Sequence, residues 1–173
     1  MTEPGSVHRH RAHAPKHVAC AVVTVSDTRS LADDTGGALL CELLEAAGHT
    51  VAERTLVRDD AAEIGAALDA LLARADCAAV LLTGGTGVAP RDVTPEAVTP
   101  RLDRTLPGFG ELFRQLSFAE IGAAAMVSRA LAGIASGKPV FALPGSRGAI
   151  RLALEQLILP ELGHLVGEAQ KTG

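Results

Sequence analysis

The sequence predicts a single α/β domain of three layers, a mostly parallel twisted sheet with helices on both faces. Short, continuous, β-branched apolar runs alternate with segments whose Leu and Ile residues recur at helical spacing. Each apolar run stops at a cluster of Ser, Asp, Thr or Gly. A length of 173 residues with 47% hydrophobic and 21% charged side chains suits one compact core, and neither an internal repeat nor a composition shift marks a second domain. Strands alternating with helices imply right-handed crossovers, hence a parallel sheet covered on both sides.

The elements follow in order. Val18 to Val25 is a continuous apolar run, the pattern of a strand buried on both faces. A helix is predicted from about Asp34 to Ala47, with Leu39, Leu40, Leu43 and Leu44 on one face and Gly48 as its stop. Thr50 to Val57 reads as the second strand, and Asp59 or Asp60 then caps a helix reaching about Arg74 through Ile64, Leu68, Leu71 and Leu72. Cys77 to Leu82 is the third strand, ending at three glycines between Gly84 and Gly87. Thr94, Pro95 and Glu96 open a helix as cap, first-turn proline and favourable carboxylate. Leu106-Pro107-Gly108 precedes a helix bearing Phe109, Leu112, Phe113 and Leu116, and Ser117-x-x-Glu120 reads as a capping box for a further segment. Ser128 to Ala135 and Val140 to Leu143 are strands separated by Ser136-Gly137-Lys138-Pro139. A long helix with Ile150, Leu154, Leu157 and Ile158 on one face follows Pro144-Gly145-Ser146. The domain is expected over residues 17–167, between a flexible tail of residues 1–16 and a C-terminal tail of residues 168–173.

Charge and composition narrow the function. With 16 basic and 20 acidic side chains the net charge is −4, which argues against broad capture of a nucleic-acid backbone or an anionic membrane surface. No apolar run approaches the roughly 20 residues that span a bilayer, and no secretory leader is apparent, so the expected location is cytoplasmic. Cys20, Cys41 and Cys77 lie far apart in apolar surroundings and read as buried reduced thiols. His8, His10 and His13 read as part of a frayed tail in preference to a metal site, and His49 and His164 as exposed residues at helix ends.

In a sheet of this kind ligands bind beyond the carboxyl ends of the strands. That rule selects Ser26-Asp27, Asp59, the glycine loop with Asp92, and Pro144-Gly145-Ser146. Within the loop, Gly84, Gly85 and Gly87 let backbone amides approach an anion, Thr83 and Thr86 offer hydroxyls, and Arg91 offers a fixed charge. A tight strand-to-helix turn that binds nothing is the plain alternative. Dinucleotide, P-loop and nucleophile-elbow patterns fit poorly, because prolines or missing glycines interrupt each of them. Asp92 can cap the following helix or, together with Asp59, hold Mg²⁺ beside phosphate oxygens; Asp60 can replace Asp59.

The stretch Thr83 to Glu96 closely resembles the signature of the MoaB/MogA family of molybdenum-cofactor biosynthesis proteins. The blocks Val25 to Arg29, Leu106 to Arg114, Ser117 to Gly122, Met126 to Ala130 and Phe141 to Ser146 are similar to the family's other blocks in the same order, so the resemblance covers nearly all of Val18 to Val166. The Leu106 to Met126 stretch and the ending Pro144-Gly145-Ser146 look closer to the MoaB branch, while Arg147 stands where proline is common. The resemblance implies a molybdopterin-binding fold and Mg²⁺-dependent transfer of AMP from ATP to molybdopterin, with release of pyrophosphate. By that analogy Asp59 and Asp92 are catalytic metal ligands, and Thr83 to Gly87 with Arg91 hold phosphate. Ser26, Asp27, Ser117, Ser128, Pro144, Gly145 and Ser146 then bind the pterin ligand. A homotrimer or homohexamer, using helices around Phe109 to Met126, and contacts with other proteins of the pathway are implied as well. The rival reading is a non-catalytic pterin- or nucleotide-binding member of the same pathway.

Overall fold

The computed structural model describes residues 14–171, and the histidines at positions 8, 10 and 13 lie outside the described residues. Six strands form one sheet in the order β2-β1-β3-β6-β5-β4: β1 (Ala19–Val25), β2 (Thr50–Val57), β3 (Ala79–Thr83), β4 (Arg104–Thr105), β5 (Leu131–Ala135) and β6 (Lys138–Leu143). β1 pairs in parallel with β2 and β3, and β3 with β6, while β5 runs antiparallel to both β6 and β4. The carboxyl ends of four neighbouring strands therefore share one edge.

The continuous apolar runs reflect a sheet buried on both sides. Alternate residues of β1 divide between two cores: Cys20 and Val22 pack with Leu39, Leu40, Leu44, Phe113, Phe141, Ile150 and Leu154, whereas Ala21, Val23 and Val25 pack with Ile64, Leu68, Leu71 and Val98. The first layer contains α1 (Thr35–Ala46), α4 (Pro107–Ile121), α5 (Arg147–Ala153) and α6 (Leu159–Ala169). The second contains α2 (Ala61–Leu72) and α3 (Thr94–Val98). Cys20, Cys41 and Cys77 are free thiols; Cys20 and Cys77 are buried but Cys41 is half-buried, and burial pushes the Cys20 thiol up to about 12.

Several expectations are corrected. Ser117 is no cap: it is buried inside α4, which continues to Ile121 and stops at Gly122, where φ is +63°. Thr94 is the first residue of α3, and its hydroxyl donates to the Gly84 carbonyl. The fifth strand begins at Leu131, three positions later than expected, and Lys138 and Pro139 belong to β6. The turn itself is only Ser136-Gly137, both with positive φ, the twist that suits a two-residue hairpin. The long final helix widens into a π-turn at Leu154–Ile158 before α6. Pro160 explains this, because its ring displaces the carbonyl four residues earlier and it has no N–H to donate. His49 is buried, not exposed, and His164 lies half-buried within α6 beside Glu161 and Glu168.

Candidate functional site

The edge where β2, β1, β3 and β6 end gathers the loops selected from sequence. Asp60 caps α2, accepting from the amides of Ala62 and Glu63 at 2.9 and 3.0 Å, which leaves Asp59 free of that duty. The Asp59 amide donates to the Asp27 carboxylate at 3.1 Å, tying the end of β2 to the end of β1. The Thr83 hydroxyl donates to the Pro144 carbonyl at 3.1 Å and the Gly84 amide to the Leu143 carbonyl at 3.0 Å, joining β3 to β6.

Two glycines are required by this geometry. Gly84 has φ +105° and a Cβ there would stand 2.2 Å from the Val25 carbonyl oxygen. Gly85 has φ +64°, and its Cβ would meet Thr94 Oγ1 at 2.4 Å and Asp59 Oδ1 at 2.6 Å. The backbone of the loop thus lies directly against the Asp59 carboxylate. Asp92 lies against a later glycine of the loop, where a Cβ on Gly87 would stand 2.6 Å from Asp92 Oδ2. That oxygen accepts from the Ala89 amide at 2.8 Å, so Asp92 closes its own loop and does not cap α3. Among the described residues, the amides of Gly85, Thr86, Gly87 and Val88 donate to no protein acceptor.

The electrostatics centre on Asp59. Its Oδ1 is buried and has no hydrogen-bond partner among the described residues. Burial, then the neighbouring carboxylates of Asp27 and Asp92, push its carboxyl above the ordinary value, while Arg91 pulls the other way. A buried carboxylate oxygen without a donor, crowded by like charges, is suited to a cation. Among the described residues no group of three or more His, Cys, Asp or Glu side chains is placed to hold a metal, so any ion here would rely on one or two carboxylates and on its ligand's oxygens.

Cavities along the loop include two that hold residues expected to bind the pterin. A polar crevice of 260 Å³ is lined by Ser26, Arg29, Asp34, Thr83, Gly84 and Gly145, among others. A more apolar cavity of 190 Å³ is lined by Thr86, Gly87, Ser117, Ser128, Pro144 and Ser146 together with Phe113 and Ile121. The residues expected to bind the pterin are therefore divided: Ser26 and Gly145 face the crevice, whereas Ser117, Ser128, Pro144 and Ser146 face the cavity. Asp27, Asp59, Gly85, Asp92 and the exposed Arg91 stand outside both linings.

Sequence reasoning assigned no role to Asp34 or Arg129 and read Thr94 only as a helix cap. Asp34, buried at the back of the crevice, accepts from the Thr24 hydroxyl at 2.6 Å, the Gly37 amide at 2.9 Å and Arg54 at 3.1 Å. Burial opposes its ionisation, but these bonds outweigh it and hold its carboxyl below the ordinary value. Thr94 pins α3 to the loop through the Gly84 and Gly85 carbonyls. Arg129 grips the loop from outside, with Nε on the Gly87 carbonyl at 2.7 Å. Asp34 carried a local signal as the residue before a helical apolar pattern; Arg129 carried none beyond its charge and its place in the family-like block Met126 to Ala130.

Residues 21–164 match the family model described as a probable molybdopterin binding domain. The chain belongs to the MoaB/MogA family of molybdenum-cofactor biosynthesis proteins. It is 53% identical to the molybdenum cofactor biosynthesis protein B of Halalkalibacterium halodurans over 96% of this chain and 98% of that protein. A crystal structure of a molybdenum cofactor biosynthesis protein B superposes with a TM-score of 0.89 at 51% identity, covering 92% of this chain and 99% of that one. The tungsten cofactor synthesizing protein MoaB of Pyrococcus furiosus gives 0.82 at 36% identity over 91% and 100%. A MogA structure matches at 28% identity, so this member stands nearer the MoaB branch. Among the described residues no helix is long and apolar enough to cross a membrane.

Proposed function

We propose that this family member is a molybdopterin adenylyltransferase, transferring AMP from ATP to the terminal phosphate of molybdopterin. A phosphate oxygen of the pterin attacks the α-phosphorus of ATP; the new P–O bond forms as the bond to the β-phosphate oxygen breaks, and pyrophosphate leaves. Such a transfer requires alignment and charge neutralisation but no protein nucleophile. The free amides of Gly85 to Val88 form a cup that can accept phosphate oxygens, with the Thr83 and Thr86 hydroxyls beside it. Asp59 and Asp92 flank that cup and would hold Mg²⁺. When bound, the ion would neutralise phosphate charge. The polar crevice at Thr83 and Gly84 and the apolar cavity at Thr86 and Gly87 offer two places along one loop for two substrates.

The observation that carries this reading is the buried, unpartnered Oδ1 of Asp59 against the Gly85 backbone. A loop serving only as a turn has no use for an orphaned carboxylate oxygen there. The test supplies ATP, Mg²⁺ and molybdopterin to the purified chain and follows adenylylated molybdopterin and pyrophosphate. Product is expected from the unaltered protein, and Asp59→Asn with Asp92→Asn should lower turnover on the order of a thousandfold, since several kcal/mol of charge stabilisation depend on the ion. A folded double variant with undiminished turnover would reject the assigned metal role. Saturable ligand binding without product would establish the non-catalytic reading instead. We further propose a cytoplasmic homotrimer or homohexamer, supported by the apolar surface at the end of α4, and contact with other proteins of the pathway.

A further inference from the structure

We infer that Arg129 is a positioning residue for the transfer: by gripping the carbonyl side of the glycine loop it turns the amide side toward the ligand. This rests on the reading that the cup holds phosphate.

Arg129 lies in the short segment between α4 and β5, and reaches across to a loop some forty residues earlier. Its own amide donates to the Thr86 carbonyl at 2.9 Å, its Nε to the Gly87 carbonyl at 2.7 Å and its Nη2 to the Asp92 carbonyl at 2.5 Å. Nη1 is paired with the Glu96 carboxylate, which steadies the guanidinium from α3. In a trans peptide the C=O and the following N–H point in opposite directions. Holding the Thr86 and Gly87 carbonyls toward Arg129 therefore aims the Gly87 and Val88 amides away from it, and these are two of the four free donors of the cup. Holding the Asp92 carbonyl fixes the residue whose carboxylate flanks the same loop.

The guanidinium lines a surface cavity with Val88, Ala89, Pro90, Asp92, Val93 and Glu96, and its nitrogens are committed to the Gly87 and Asp92 carbonyls and to Glu96. Its action is thus on the loop, not on a ligand in the cup. The planar guanidinium fork serves three acceptors with separate nitrogens; a lysine ammonium supplies the charge without that fixed fork. Ser128, its neighbour in sequence, lines the apolar cavity, so one short segment fixes the loop and a wall of the adjoining pocket.

The experiment compares Arg129→Met, Arg129→Lys and Arg129→Ala with the unaltered full chain, using steady-state AMP transfer, thermal unfolding and ¹⁵N relaxation of residues 85–92. In Arg129→Met, kcat should fall on the order of a hundredfold, the penalty of a slightly misplaced array. The KM for ATP should rise by less than about tenfold, and Arg129→Lys should recover only part of the loss. Order parameters across the loop should drop from the rigid value of about 0.85 toward about 0.6 while those of β3 stay unchanged. Guanidinium ion added below denaturing concentration should partly restore Arg129→Ala. The inference is overturned if the variants lose thermal stability but keep kcat and loop order. If the unaltered chain transfers no AMP, the proposed function falls separately, and the relaxation data alone decide whether Arg129 orders the cup.

Discussion

Asp59 and Asp60 are adjacent carboxylates at the end of β2, and only one of them is used by the fold. Asp60 is fully occupied as the α2 cap, whereas the Asp59 side chain is turned into the edge where four strands end, its Oδ1 2.6 Å from the Cβ that Gly85 lacks. Gly85 is thus a test of the site as much as of the backbone. Gly85→Ala places a methyl group between Thr94 Oγ1 and Asp59 Oδ1 in a left-handed conformation. It should destabilise the protein by about 1–3 kcal/mol and displace the Asp59 carboxylate. Urea unfolding of the variant against Gly108→Ala, where a Cβ meets nothing within 4 Å, should show the loss only at Gly85. Equal midpoints for the two would mean that the loop tolerates a side chain and does not hold Asp59 closely. At this scale the glycines were legible because positive φ and close backbone approach give the residue type its reason, whereas the sequence left Asp59 and Asp60 interchangeable and Asp92 open between cap and ligand, a choice that only the cap bonds of Asp60 and the Ala89 bond of Asp92 narrow. The positioning role of Arg129 was not legible, because the carbonyls that its side chain grips lie 37 and 42 positions away and an arginine's partners cannot be read from its residue type.

Among elements, the buried strands were easiest to read, since a sheet covered on both faces leaves an unbroken apolar run. β4 left no such trace: its two residues are exposed, and only their backbone pairing with Gly133 and Ile134 makes them a strand. Ser117 misled because a Ser followed three positions later by Glu matches a capping box wherever it falls, while burial against the core keeps α4 intact through it. His49 misled in a similar way. It stands between α1 and β2, where its Nδ1 accepts from the Val18 amide at 3.2 Å, and His17 bonds the neighbouring Gly48 carbonyl. That bond requires a neutral ring. Burial first, then the nearby His17, hold its folded value below the ordinary 6.5. The unfolded chain consequently binds more protons, and stability rises with pH across the interval between the two values. The contribution is complete above 6.5 and is lost as pH falls through the lowered folded value. Urea midpoints measured between pH 7 and pH 5 should decline more steeply for the unaltered chain than for His49→Asn, whose amide oxygen keeps an acceptor without a titrating proton. Parallel curves would assign the decline to other groups.

For the whole molecule, topology converts local pattern into a site: β1, β2, β3 and β6 are neighbours and parallel, so loops separated by more than 100 positions meet at one edge. The alternation of elements was enough to anticipate that meeting, but not the division into two cavities, which depends on how α4 and the segment after it pack over the glycine loop. That segment also carries the surface on which the proposed assembly depends. Phe109 and Phe113 turn inward, stacked with ring centroids 6.2 Å apart, and Phe113 is 1% exposed. The end of the same helix and the turn that follows do the opposite: Phe118 is 62% exposed, Ile121 60% and Met126 80%. A chain with few aromatic residues that leaves one of its four phenylalanines in water beside Ile and Met presents an apolar patch of the kind monomers seldom keep. Ile121 and Val127 also line the apolar cavity, so a second copy packed on this patch would adjoin the cavity proposed to hold a substrate. Phe118→Asp with Met126→Asp puts two charges into that surface without touching the core. Sedimentation at micromolar concentration should then show a monomer for the variant against a trimer or hexamer for the unaltered chain, with both retaining the same far-ultraviolet circular dichroism. An unaltered chain that sediments as a monomer, or a variant that still assembles, would move the interface elsewhere and leave this patch without a partner.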